Sequence, residues 1–222
     1  MNHTTSLNAP QILAVPAQQG GHTSFGCNQD WYTTEWQRYT GCGPSVATNM
    51  LYYMLRRNGD MPLKQDEEPT TREELLAMME EAWKYVTPTD HGIPTTELFY
   101  ERFLDYAAAK GIEVVRCRVL NAFEEPRPPL EEIVRFLKEA LAADLPVAFL
   151  NLCNGEEENL DKWHWVTLVS LDYGNGDPVW VTVFDNGEPK RANLTLWLET
   201  TTMGGGFVYF QFAPGKTSAP NA

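Results

Sequence analysis

A chain of 222 residues, 43% hydrophobic and 21% charged, can bury a full core without disulfide or metal staples, which excludes a disordered or fibrous protein. Its net charge of −13, with no basic cluster, excludes a nucleic-acid binder that works by neutralising phosphates and sets the chain against an anionic membrane surface. No segment has the apolar length of a membrane span, and the polar N-terminus lacks a secretory signal's basic and apolar regions, so the expected compartment is cytoplasmic.

In chain order, residues 1–24 are expected to form a flexible N-terminal arm. An aromatic-rich loop follows, carrying Phe25, Trp31, Tyr32, Trp36 and Tyr39. The turn Gly41-Cys42-Gly43-Pro44 leads into a helix predicted over 45–57 and stopped by Asn58-Gly59, since proline is tolerated in a first helical turn. Thr71, with Glu74 as capping-box partner, starts a second helix to about Tyr85. Thr95 or Thr96 caps a third, which Gly111 ends.

The hydrophobic period then changes. Residues 112–120 read as a strand, and 130–143 as an amphipathic helix with Ile133, Phe136, Leu137 and Leu141 on one face. Strands are predicted over 146–152, 164–173, 178–184 and 206–213, with a short helix over 194–199. The segment Tyr173–Asp177 carries a hairpin signal between the middle two strands. The expected fold class is α+β: a single domain over 25–214, in which an N-terminal helical half packs on a mostly antiparallel C-terminal sheet and leaves a cleft between them. Residues 215–222 form a tail.

The cysteines are Cys27, Cys42, Cys117 and Cys153, none in a CxxC pair, so neither a zinc site nor a disulfide framework is expected. Cys42 differs from the others in its setting. A helix N-terminus offers orphan N–H groups and the positive end of the helix dipole, and both lower a thiol's pKa and stabilise an oxyanion. Gly41 and Gly43 would let a carbonyl approach its sulfur. His164 opens a predicted strand at the end nearest that helix, where a neutral imidazole takes the thiol proton. Asp185 ends the next strand and would fix the imidazole tautomer, with Asn186 as the other candidate, because Asp185-Asn186-Gly187 is also good turn chemistry. His91 reads as a loop residue, and Cys117 and Cys153 as packing. The run Glu156-Glu157-Glu158 reads as a solvated face or as a cleft rim that favours cationic substrates. Phe25, Trp31 and Trp36 either wall a substrate groove or pack the loop on the core.

The order cysteine, histidine, aspartate narrows the choice. Thr40-Gly41-Cys42-Gly43-Pro44-Ser45, then His164-Trp165-Val166, then Phe184-Asp185, resembles the C39-like branch of the papain-like cysteine peptidase superfamily, over about residues 37–187. The resemblance implies hydrolysis of a peptide or protein substrate through a thioester acyl-enzyme, without metal or other cofactor. It also implies a glutamine six residues before the cysteine that donates to the oxyanion; here that position is Trp36, and Gln37 stands five before Cys42. The same triad also serves acyl transfer, and the displaced glutamine suits a binding or regulatory module without turnover. Oligomeric state is not legible in the sequence.

Overall fold

Threonine side chains start three helices. The computed structural model describes residues 2–17, 21–58, 70–123, 125–174, 176 and 178–213. Thr34 accepts from the Gln37 N–H to open α1 (Glu35–Thr40), Thr71 from Glu74 to open α3 (Arg72–Trp83), and Thr95 from Leu98 to open α4 (Thr96–Ala109). Gly111, at φ 71°, closes α4. There the Ile112 and Gly111 N–H groups donate to the carbonyls of Ala107 and Ala108, each at 2.9 Å.

Between them runs α2 (Cys42–Asn58), which starts three residues earlier than its apolar spacing suggests. Every residue from Gly43 to Leu55 is buried. A helix enclosed on all sides carries no clean apolar stripe, so periodicity marks only part of it. Its tyrosines keep their hydroxyls satisfied; Tyr53, for example, donates to Asp144 Oδ1 at 2.6 Å.

The remaining elements are α5 (Leu130–Ala142), α6 (Leu194–Thr200) and the strands β1 (Asn2–Ser6), β2 (Ala14–Val15), β3 (Ser24–Phe25), β4 (Val114–Asn121), β5 (Val147–Asn151), β6 (His164–Gly174), β7 (Trp180–Asp185), β8 (Glu188–Asn193) and β9 (Gly205–Phe212). Seven strands form one sheet in the order β4-β9-β5-β6-β7-β8, with β1 added to β6; β2 and β3 pair separately. Every pairing among the described strands is antiparallel. The fold is thus mixed α+β.

Alternation along β9 shows how the layers stack. Phe210 stacks on Phe103 of α4, while Tyr209 packs against Phe136 of α5 and Phe207 against Trp197 of α6. Helices therefore cover both faces of the sheet, rather than the one face that a helical half packed on a sheet half implies. One continuous apolar core joins all of these elements. Among the described residues no helix is long and apolar enough to cross a membrane.

The N-terminal expectation needs correction. The first residues are not a loose arm: Asn2–Ser6 pair with Gly174–Ser170 of β6, and Leu7 is buried. Polar composition hides this strand because pairing uses backbone groups. The sequence pattern assigns no element to Glu-Pro-Lys-Arg-Ala-Asn, which forms β8. Charge and proline suit a sheet-edge strand. The tail 215–222, Gly59 and part of the 173–177 hairpin lie outside the described residues.

Deleting residues 1–7 should lower the unfolding free energy by about 2–4 kcal/mol, from the lost Leu7 burial and strand hydrogen bonds. Urea denaturation of the truncated and full chains checks this; equal midpoints would restore the loose arm.

Candidate active site

Cys42 opens α2, but helix α1 precedes it, not a loop. Gly41 joins the two, and its carbonyl accepts from Ser45 N–H at 3.0 Å. The flanking glycines serve packing. A Cβ at Gly41 would collide with the Gln37 carbonyl and the Tyr32 ring, and one at Gly43 would stand 2.6 Å from Ile93 Cδ1. They let the chain turn tightly enough to bring Cys42 to the helix start. Cys42 as a residue is half-buried.

His164 begins β6 and Asp185 ends β7. These strands pair with Thr167 opposite Phe184, so continuing the register places Asp185 across from Val166, two residues from His164 on the same face. Such diagonal neighbours meet: His164 Nε2 lies 2.6 Å from Asp185 Oδ1. The other ring nitrogen remains for Cys42, which lines the same cleft and whose thiol interacts electrostatically with the imidazole. Asn186 turns away from this role. With φ 48°, and Gly187 at 82°, it forms the two-residue turn between β7 and β8.

The charges are coupled. Burial alone would raise the Cys42 pKa, but the imidazole, helped by the N–H groups of Trp165 and Gly43, brings it below its ordinary value. Burial opposes the imidazolium too, yet Asp185 and Cys42 raise the His164 pKa to about 10. For Asp185 burial is again the opposing effect, and His164 and Lys190 hold its pKa down. Lys190, on β8, places its ammonium 2.7 Å from Asp185 Oδ2. It thereby anchors the carboxylate oxygen that His164 does not use. Sequence reading passed over Lys190 because it lies in the unrecognised edge strand.

Two linkages fix the spacing between helix and strand. Asn49, buried in α2, donates to Thr167 Oγ1 of β6 at 3.0 Å and accepts from Cys27 N–H at 2.8 Å. Trp165 Nε1 donates to the Ile93 carbonyl at 2.8 Å, while the Ile93 side chain packs on Gly43. The residue after the cysteine and the residue after the histidine thus share one neighbour.

Gln37 does not join this group. Its Oε1 accepts from the N–H and hydroxyl of Thr34, and its Nε2 donates to Glu80 Oε2 at 2.8 Å. It acts as the capping-box residue of α1. The Glu156–Glu158 run is not a cleft rim either, since Glu157 is buried and accepts from the N–H groups of Asn159 and Asn193. The cleft over the dyad, about 450 Å³, is lined by Tyr39, Thr40, Asp90, His91, Gly92, Lys162 and Trp163 together with Cys42 and His164. His91 therefore belongs to the cleft, from the tight turn Thr89–Gly92. Asp161, His164 and Asp185 bring potential metal ligands within 4.8 Å of one another. The Lys190 ammonium, 2.7 Å from Asp185 and 3.8 Å from Asp161, already supplies positive charge there.

No protein-family model matches this sequence, and no curated protein matches it.

Titrating 15N-labelled histidine by NMR should place His164 near pH 10. Asp185→Asn should lower that value. Lys190→Met should raise it, because a competing cation leaves the carboxylate; a downward shift would mean that Lys190 acts mainly by holding Asp185 in place. Gly41→Ala should destabilise the fold by about 1–3 kcal/mol, read by urea denaturation, because the clash involves backbone.

Proposed function

We propose that the chain is a cysteine-type hydrolase of amide bonds, papain-like in its arrangement and closest in motif to the C39-like branch. The observation that carries this reading is the grouping of Cys42, His164 and Asp185, in which a half-buried cysteine at a helix start lines the same cleft as an imidazole anchored by a buried carboxylate. Cys117, with its pKa raised by burial to about 11, lacks these features, as does Cys27, which burial also pushes up.

In this mechanism Cys42 passes its proton to His164, and the thiolate adds to the amide carbon of a peptide or protein substrate. The first backbone N–H groups of α2 face the oxyanion that forms. His164 then protonates the departing amine as the C–N bond breaks, leaving a thioester. Water gives a proton to His164, attacks the thioester and releases the acid, and the proton returns to Cys42. Asp185 keeps the ring oriented throughout.

One observation favours a second reading. The Gln37 amide, the expected oxyanion donor, is engaged by Thr34 and Glu80. A site lacking that donor suits a binding or regulatory module without turnover. Acyl transfer to an amine is a third use of the same grouping.

Alkylation by iodoacetamide at about pH 6, mapped to individual cysteines by peptide mass spectrometry, tests the proposal. Mapping is essential, because hydrogen bonds from Thr202 bring the Cys153 pKa down to about 7 and make it a competing thiol. Cys42 should label in the wild type and lose most of its reactivity in His164→Ala. An inert Cys42 would remove the enzyme readings. On a peptide substrate, His164→Ala should cut turnover by about 10²–10⁴-fold, and Asp185→Ala by less.

A further inference from the structure

Four aromatic side chains among the described residues are exposed: Trp36, Tyr39, Tyr85 and Trp163. Two of them, Tyr39 at 79% and Trp163 at 54%, line the cleft over Cys42 and His164. A third, Trp36, packs beside Tyr39 with ring centroids 6.3 Å apart. Aromatic surface left in water at a concave site is what a ligand covers. The positions matter as much as the exposure. Tyr39 stands on α1, just before the cysteine, and Trp163 directly precedes the histidine, so each wall of the cleft presents one ring beside the reacting atoms.

The backbone at Trp163 adds an independent observation. Its φ is 54°, in the left-handed region that a bulky side chain rarely adopts. Residues held in such conformations cluster at ligand sites, where the surrounding structure maintains them. Here the kink lets His164 start β6 while the indole stays at the cleft mouth. Asp90 and Lys162 supply one charge of each sign to the lining, so charge selects neither acidic nor basic ligands.

From these observations we infer that Tyr39 and Trp163 form a clamp for a flat or bulky apolar side chain next to the scissile amide, making the substrates peptides with an aromatic or large aliphatic residue there. The inference rests on the proposed hydrolase reading for its chemistry, while the clamp itself is a binding claim.

N-acetyl-dipeptidyl acyloxymethyl ketones carrying Phe, Leu, Gly, Asp or Lys beside the reactive ketone test it through the rate of Cys42 alkylation. The Phe probe should react about 10- to 100-fold faster than the Gly probe, with Leu between them and both charged probes near Gly. Tyr39→Ala and Trp163→Ala should each bring the Phe-to-Gly ratio towards one, and Trp163→Phe should keep it. The ratio is taken within each variant, so changes in thiol reactivity or strand geometry cancel. Equilibrium binding of the matching N-acetyl peptide amides to Cys42→Ala reads the same preference without chemistry. Equal binding of all amides, preference for a charged residue, or a ratio that survives both alanine variants would overturn the clamp. An aromatic preference in binding, together with a Cys42 inert to every probe, would keep the clamp and remove the hydrolase.

Discussion

The burial of α2 against β6 is the constraint on which the site depends. A helix enclosed from Gly43 to Leu55 cannot slide or rotate without disturbing the core on every side, so its first residue is fixed by the thirteen that follow. A buried polar contact across that interface, Asn49 to Thr167, helps set the register between helix and strand. Both partners are buried, so a shift would leave amide and hydroxyl groups unpaired, at a cost of about 1–3 kcal/mol each. Cys42 and His164 then meet because they occupy the same end of two elements whose middles are locked together.

Electrostatics build on that rigidity. Burying a histidine and an aspartate together is unfavourable unless each charge has a partner. Here the chain of electrostatic interactions runs from Cys42 through His164 and Asp185 to Lys190, across α2, β6, β7 and β8. Both cations hold Asp185 ionised and compete for it: His164 needs the carboxylate to keep its ring protonated, and Lys190 shares the same carboxylate. The balance sets how firmly the proton sits on the imidazole, and therefore how readily it is given up. Tyr39 and Trp163 line the same cleft but stand outside this charge network.

Local chemistry made much of the fold legible. Thr71 and Thr95 cap helices because a hydroxyl acceptor ahead of an apolar-periodic run has few alternatives, and Gly111 ends α4 because the left-handed residue there requires no Cβ. The turn Asn186-Gly187 follows from the same logic and separates Asp185 from its neighbour as the histidine's partner. Features defined by tertiary pairing were hidden. The polar strand β1 and the charged strand β8 have sequences that backbone pairing tolerates but does not demand. Gln37 carries the residue type of an oxyanion donor, yet its capping bond with Thr34 and its bond to Glu80, 43 positions away, determine where its amide points.

By itself, then, the sequence determined the α+β class and most helices and strands, and singled out Cys42 and His164 with Asp185 or Asn186 as candidates, because caps, period and strand order are local or sequential properties. Tertiary structure alone decided that Glu157 is a buried acceptor, that Gly41 and Gly43 are packing residues, that Lys190 backs Asp185, and that Tyr39, His91 and Trp163 share one cleft. Each of these depends on what a side chain meets after segments distant in the chain have packed, and no local pattern encodes that encounter.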